Sequence, residues 1–285
     1  MLKKIENIKV ENYDFVIVGT GPAGISLAFQ LKKNDNKKIL IIEAGKFDLD
    51  DESQEYYKGT IINNCNLEAP DVSRIRAFGG TSMLWGGMCR ELDEIDLKNW
   101  PINKSDLSPY TDEARKILRI NRRFLQDKQI NENTRLIDFQ WSEPTIRFNE
   151  FYKDKILNDK NIDLLIETAI TKIDGNANVE TAQLFDHKTK KYYTIKPKVI
   201  ILACGAIENS RILLYSKKES KSHFLKNISV GKDYLIHPHY VVAKSLIDMS
   251  KIKKVLDNGY MNLGMFFLSP TRNFIEEKKI GNVGL

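Results

Sequence analysis

Gly19, Gly21 and Gly24 stand in the spacing G-x-G-x-x-G, with Pro22 and Ala23 inside it, and Glu43 follows roughly twenty residues on. Glycine at these positions allows a tight turn, the approach of a pyrophosphate to bare backbone, and close packing of a helix on a strand. The unpaired N–H groups and the positive dipole end at the start of that helix suit an anion. Glu43, with Ala44 beside it, is placed to accept hydrogen bonds from ribose hydroxyls. The chemistry these residues suit is the binding of a dinucleotide.

The flanking pattern supplies the elements that would position them. Phe15 to Val18 is a short apolar run of the kind a strand buried on both faces shows, and Ile39 to Ile42 is a second. Between them Ile25, Ala28 and Phe29 recur at helical spacing. The spacing predicts a β-α-β unit. A further unit, β-turn-α, is read over 199–216, VIILACGAIENSRILLYS, where the run Val199 to Leu202 ends at Ala203, Cys204 and Gly205 before another helix. Ala203 and Gly205 would sit at the C-terminal edge of a parallel sheet, where ligands of open α/β sheets bind. The fold class expected is α/β, a Rossmann-like FAD/NAD(P)-binding parallel sheet with helices.

Residues 76–90, RAFGGTSMLWGGMCR, hold a second glycine cluster. Gly79, Gly80, Gly86 and Gly87 do not suit a helix or strand interior. They suit a loop pressed against something flat or anionic, with Thr81 and Ser82 supplying hydroxyls. An enzyme using NAD needs only the first glycine loop, whereas FAD needs a further contact beyond its pyrophosphate.

With these segments the chain resembles the glucose–methanol–choline (GMC) family of flavin oxidoreductases. The resemblance is carried by YDFVIVGTGPAGISLA, IIEAG, RAFGGTSMLWGG and RELDEIDLKNWPINKSDLSPYTDEA, and covers about 1–245. It implies FAD as cofactor, with Gly79, Gly80, Thr81 and Ser82 along the pyrophosphate and flavin and with Ile170 holding the adenine through its backbone. Some members bond a histidine of this loop covalently to the flavin; Leu84 matches that position here, so the expectation is non-covalent FAD. Trp85 departs from the usual asparagine towards the pyranose-oxidase-like branch, which points to a sugar or polyol. The activity implied is oxidation of a CH–OH group of a small alcohol or sugar, with the electron acceptor left open. The second family signature is matched at Asn209, Ser210, Leu213 and Leu214, but Ser216 is followed by Lys217 where the family turns on glycine. His237 matches a family histidine and is read as structural.

The family's catalytic histidine lies far along the chain, and no histidine follows His239 here. The expectation is therefore an N-terminal piece of a longer enzyme, with 1–245 an FAD-binding domain and 246–285 the beginning of an incomplete α+β substrate domain. No catalytic residue is assigned. A non-catalytic FAD-binding fragment and an NAD-dependent dehydrogenase remain as alternatives.

Composition narrows the rest. A net charge of +6 from 44 basic and 38 acidic residues is scattered, without aromatic interleaving, and no nucleic-acid partner is expected. Cys65, Cys89 and Cys204 show neither paired nor metal spacing, which suggests a reducing compartment. With no apolar leader pattern and no run of about 18 apolar residues, a cytoplasmic protein without a transmembrane segment is expected. Cys204 reads as a small buried residue. Two polar excursions, near 46–74 and 121–160, read as surface, with Phe139, Trp141, Phe148, Phe151 and Tyr152 as cover over the core. The stretch 105–120 reads as one amphipathic helix capped by Ser105 or Ser108, with Tyr110 packed inward. VETAQLF and KYYTIKP read as a β-hairpin about DHKTK, whose basic residues would be solvated.

Overall fold

The structure, a computed structural model, describes residues 1–33, 37–62, 67–121, 126–219, 225–236, 241, 244 and 265–284. Cys65, His237 and half of 246–285 lie outside them. In chain order the first elements are β1 (Phe15–Val18), α1 (Pro22–Leu31), β2 (Ile39–Ile42) and the short α2 (Asp51–Gln54). Next come α3 (Lys104–Leu107), α4 (Thr111–Ile117), β3 (Lys128–Gln129), β4 (Thr134–Phe139) and α5 (Phe148–Leu157). The remainder are β5 (Ile162–Leu165), β6 (Thr168–Asp174), β7 (Thr181–Asp186), β8 (Lys191–Ile195), β9 (Ile200–Leu202), α6 (Ala206–Glu219), β10 (Met265–Pro270) and α7 (Arg272–Lys278).

The chain divides into two compact units, Met1–Trp85 with Arg147–Pro238 and Gly86–Ile146 with His239–Leu285. In the first, a four-stranded sheet runs in the order β5-β2-β1-β9, every pair parallel. Val16 and Ile17 are buried and Ile39 to Ile42 are fully so, which is why these strands read as unbroken apolar runs rather than alternating ones. Each such side chain contributes about 1.5–3 kcal/mol on burial. Gly24 lets α1 lie close on β1: a Cβ there would stand 2.0 Å from the Gly19 carbonyl oxygen. The three-stranded sheet β6-β7-β8 is antiparallel and includes the hairpin read from the sequence. Ile170, Ile173, Leu184 and Ile195 join its inner face to one core with Val16, Leu40 and Ile212.

Helix α6 continues through Ser216 and Lys217 to Glu219, so the family's glycine turn is replaced by further helix. Ser216 is fully buried, donates to the Ile212 carbonyl at 2.7 Å and accepts from the Ile173 N–H at 2.9 Å, tying α6 to β6. The stretch expected as surface cover is in part core. On α5, Phe148, Tyr152 and Ile156 recur on one buried face, and the Phe148 and Tyr152 rings lie 4.9 Å apart.

In the second unit β10, β4 and β3 form an antiparallel sheet, with Phe139 against Phe267 at 5.0 Å. This pairing groups 86–146 with the chain beyond 238, a division that differs from a boundary at 245, because β4 finds its hydrogen-bond partner in β10. The single helix expected over 105–120 is three short pieces, α3, a 3-10 turn Ser108–Tyr110, and α4. Its cap is Asn103, not Ser105 or Ser108. The Asn103 side chain accepts from the Ser105 N–H at 2.9 Å, and Asp106 accepts from the Asn103 N–H at 2.9 Å. Pro109 cannot supply the N–H that would continue the first turn. Tyr110 is 69% exposed rather than packed inward.

Arg90, Asp93, Asp127 and Arg135 form a half-buried network in this unit. Arg135 pairs with Asp93 and Asp127, each at 2.7 Å, and Arg90 with the same two carboxylates at 2.9 Å. Asn282 also donates to Asp93, at 2.8 Å. No described helix is long and apolar enough to cross a membrane.

Candidate functional site

The C-terminal ends of β1, β2 and β9 open into one cavity of about 720 Å³, the position at which an open parallel sheet receives a ligand. Two helix N-termini belong to its wall, that of α1 through Gly21, Pro22 and Ala23 and that of α6 through Ala206 and Ile207. Of the residues singled out from the sequence, Gly19, Gly21, Pro22, Ala23, Glu43, Ala44, Gly80, Thr81, Ile170, Ala203 and Gly205 all line it. A side chain at Gly21 or Gly205 would meet nothing within 4 Å, so bare backbone faces open space at both helix starts. Gly80 comes close to Gly21: a Cβ on it would stand 3.1 Å from the Gly21 Cα. The two glycine loops are thus in contact.

Gly24, Gly79 and Ser82 do not line the cavity. Gly24 serves the packing of α1. The Gly79 N–H donates to the Thr20 carbonyl and hydroxyl oxygens at 3.2 Å. Ser82, expected to offer a hydroxyl to the ligand, is buried; it donates to the Gly79 carbonyl at 2.7 Å and accepts from the Phe148 N–H at 3.1 Å, which satisfies the start of α5. Leu84 and Trp85 are not among the lining residues either; Leu84 is exposed and Trp85 packs edge-on against Phe148.

Glu43 is buried, and its carboxylate is already engaged. Oε2 accepts from the Thr20 N–H at 3.0 Å and from the Thr20 hydroxyl, and Oε1 accepts from the Gly45 N–H at 2.8 Å. These bonds orient the group at the end of β2. Cys204 donates to the Val18 carbonyl at 3.2 Å, and burial, with the Glu43 and Glu208 carboxylates, pushes its thiol up to about 12. It is a protonated thiol, half-buried at the cavity wall rather than wholly buried as read from the sequence, and not a thiolate nucleophile.

Among the lining residues that escaped the sequence reading are Tyr56, Tyr57, Arg74, Arg76 and His187. The excursion 46–74 is therefore not wholly surface, and His187 of DHKTK is not solvated. His187 lies edge-on to Tyr56 at 4.7 Å and to Phe185 at 4.9 Å, and accepts from Arg76 at 2.8 Å. Burial, then Arg76 and Lys190, lower its pKa to about 4, against a smaller opposing effect of Asp186. Burial beside Glu43 and Glu208 raises the Tyr57 phenol well above its ordinary value. The alternation Arg74-Ile75-Arg76 ahead of the second glycine loop was a usable signal, because i and i+2 share a face in extended chain.

No protein-family model matches the chain. In fold it is similar to pyridoxine 4-oxidase from Mesorbium loti, with a TM-score of 0.50 and 17% identity over 71% of this chain and 51% of that one. A formate oxidase variant from Aspergillus oryzae RIB40, from a study of FAD modification, gives 0.51 and 17% over 71% and 47%. An FAD-dependent oxidoreductase from Chaetomium thermophilum gives 0.50 and 16% over the same shares. The fold is the one these proteins share, and the chain spans about half the length of the solved chains it matches.

Proposed function

We propose that the cavity binds FAD without a covalent bond and that the protein is part of an FAD-dependent oxidoreductase acting on a CH–OH group of a small alcohol, sugar or polyol. The observation that carries the reading is the meeting of both glycine loops and the N-termini of α1 and α6 at one cavity. The donor set suits the group: two helix starts for the diphosphate, Glu43 and Ala44 beside the ribose, and the backbone of Ile170 for the adenine. Gly80 and Thr81 supply the further contact that a flavin needs and a nicotinamide dinucleotide does not. The likeness in fold to proteins described as FAD-dependent supports it. Bound there, the flavin would accept a hydride from the substrate carbon. The free thiols of Cys89 and Cys204 fit a reducing compartment such as the cytoplasm.

The test is a visible absorption spectrum of the purified chain after incubation with FAD and desalting, followed by acid precipitation. Retained flavin released by acid is the expected result. Flavin that stays with the precipitate overturns the non-covalent assignment, and a colourless folded protein stabilised against heat by NAD overturns the FAD assignment.

A further inference from the structure

Arg76 is a charged side chain only 5% exposed, and among the described residues it forms no ion pair. Its two hydrogen-bond partners among the described residues are neutral: Nη1 donates to the Ser53 hydroxyl at 2.7 Å and Nη2 to Nε2 of His187 at 2.8 Å. Arg74, two residues earlier, has no carboxylate partner among the described residues either. Its Nε donates to the Pro70 carbonyl at 3.1 Å, its guanidinium lies 4.1 Å from the centre of the Tyr57 ring, and its buried Nη1 has no hydrogen-bond partner among the described residues. Both side chains line the cavity. Its carboxylates are committed elsewhere, Glu43 to Thr20 and Gly45 and Glu208 to Arg211 at 2.6 Å. A buried cation without a contacting counter-ion is unfavourable, and arginine is a donor that does not neutralise itself by losing a proton in proteins. Glu43 and Glu208 act on Arg76 through their charge but do not touch it, so an anion entering the cavity would meet a guanidinium with no ion pair.

We propose that Arg74 and Arg76 are a charge clamp for the diphosphate of the bound dinucleotide, and that His187, a neutral acceptor, is the positioning residue that holds Arg76 in the clamp. The proposal rests on the dinucleotide reading of the cavity. Arginine is suited to the task because its planar fork bonds phosphate oxygens in pairs. A carboxylate at position 187 would have fixed Arg76 equally well but neutralised it. Histidine fixes it and leaves the charge available. Around the His187 ring stand Arg76, Lys190, Asp186 and the Tyr56 phenol; burial first, and then Arg76 and Lys190 against the opposing Asp186, favours the neutral ring.

The test compares ADP with adenosine, and FAD with riboflavin, by calorimetric titration of the full chain. Arg76→Met and Arg74→Met are each expected to weaken ADP about tenfold to a hundredfold while adenosine changes by less than about twofold. His187→Gln keeps a neutral acceptor and is expected to bind ADP as the parent does. His187→Glu is the decisive variant, since it supplies an internal counter-ion. It is expected to melt no lower than the parent without ligand, yet to lose ADP affinity as Arg76→Met does. Should Arg76→Met not fold, His187→Glu alone decides. Unchanged ADP binding in His187→Glu and the arginine variants, with FAD still bound, overturns the clamp and leaves the dinucleotide reading standing. A parent chain that binds neither FAD nor ADP overturns both.

Discussion

Nη2 of Arg76 lies 2.8 Å from Nε2 of His187, and through this bond the approach to the second glycine loop is tied to the end of β7. Arginine can only donate, so Nε2 carries no proton and the ring is neutral. The backbone N–H of His187 donates to the Glu167 carbonyl at 2.8 Å, and the Tyr56 ring lies edge-on to the imidazole. Three stretches far apart in sequence meet at this one residue.

That meeting has a pH consequence. With a folded pKa near 4 against an ordinary value of 6.5, the unfolded chain binds the proton more readily between those values. The stabilising contribution of neutral His187 is complete above about pH 6.5 and is lost as pH falls towards 4. In His187→Gln the melting temperature is expected to fall less steeply over this window than in the parent. Parallel slopes in a pH series of thermal melts would show that the ring is not buried beside Arg76.

The parallel sheet was legible because its signals are local. A four-residue apolar run cannot be half-solvated, and a glycine between helix and strand cannot be replaced without moving one of them, so β1, α1, β2 and β9 follow from the sequence. Tyr56 and Tyr57 were not legible, because they sit in polar chain whose burial depends on what packs over it, whereas Arg74 and Arg76 left a signal in their alternation about Ile75. The same holds for Phe148 and Tyr152, whose helical spacing is short and set among charges. Tyr110 failed in the opposite direction. Asn103 starts the helix early, Pro109 interrupts it, and the apolar stripe over 105–120 never forms a continuous face.

Gly24 offers a stringent check on the sheet–helix contact. A methyl group there would press on the Gly19 carbonyl at 2.0 Å, a backbone atom that cannot rotate aside. Gly24→Ala is expected to cost about 1–3 kcal/mol in urea unfolding, in the range of overpacked cores, and to displace the start of α1. Loss of bound FAD should accompany it.

Ser216 replaces a turn with a buried bond. Ser216→Ala removes the acceptor of the Ile173 N–H and leaves that donor buried on β6, at a cost of about 1–3 kcal/mol. Hydrogen exchange should locate the loss: the Ile173 amide is expected to exchange faster in the variant, while amides of β1 and β2 change only with global stability.

Asp93 sets the acid limit of the second unit. Burial pushes its carboxyl up, but the Asn282 hydrogen bond and the charges of Arg90 and Arg135 together outweigh burial and hold it below the usual range. A carboxyl depressed on folding stabilises above its unfolded pKa of about 3.9, and that stability is lost as pH falls through the folded value. Asp93→Asn is expected to lower stability at neutral pH and to flatten the decline below about pH 4. Exchange of the β4 amides against pH reads both effects.

Glu43 separates orientation of the site from binding at it. Its two oxygens receive the Thr20 N–H, the Thr20 hydroxyl and the Gly45 N–H, all donors. In Glu43→Gln one oxygen becomes an NH₂ group, which must face either Thr20 or Gly45, donor against donor. The expected cost to the ligand-free protein is about 1–3 kcal/mol. Because the same oxygens are the ones we propose for the ribose, retained flavin should fall as well. Thermal melts without FAD and flavin retention after desalting distinguish the two roles. A drop in both is the expected outcome. A drop in flavin alone would mean that the bonds to Thr20 and Gly45 carry little of the fold, and an unchanged flavin content would remove Glu43 from the site.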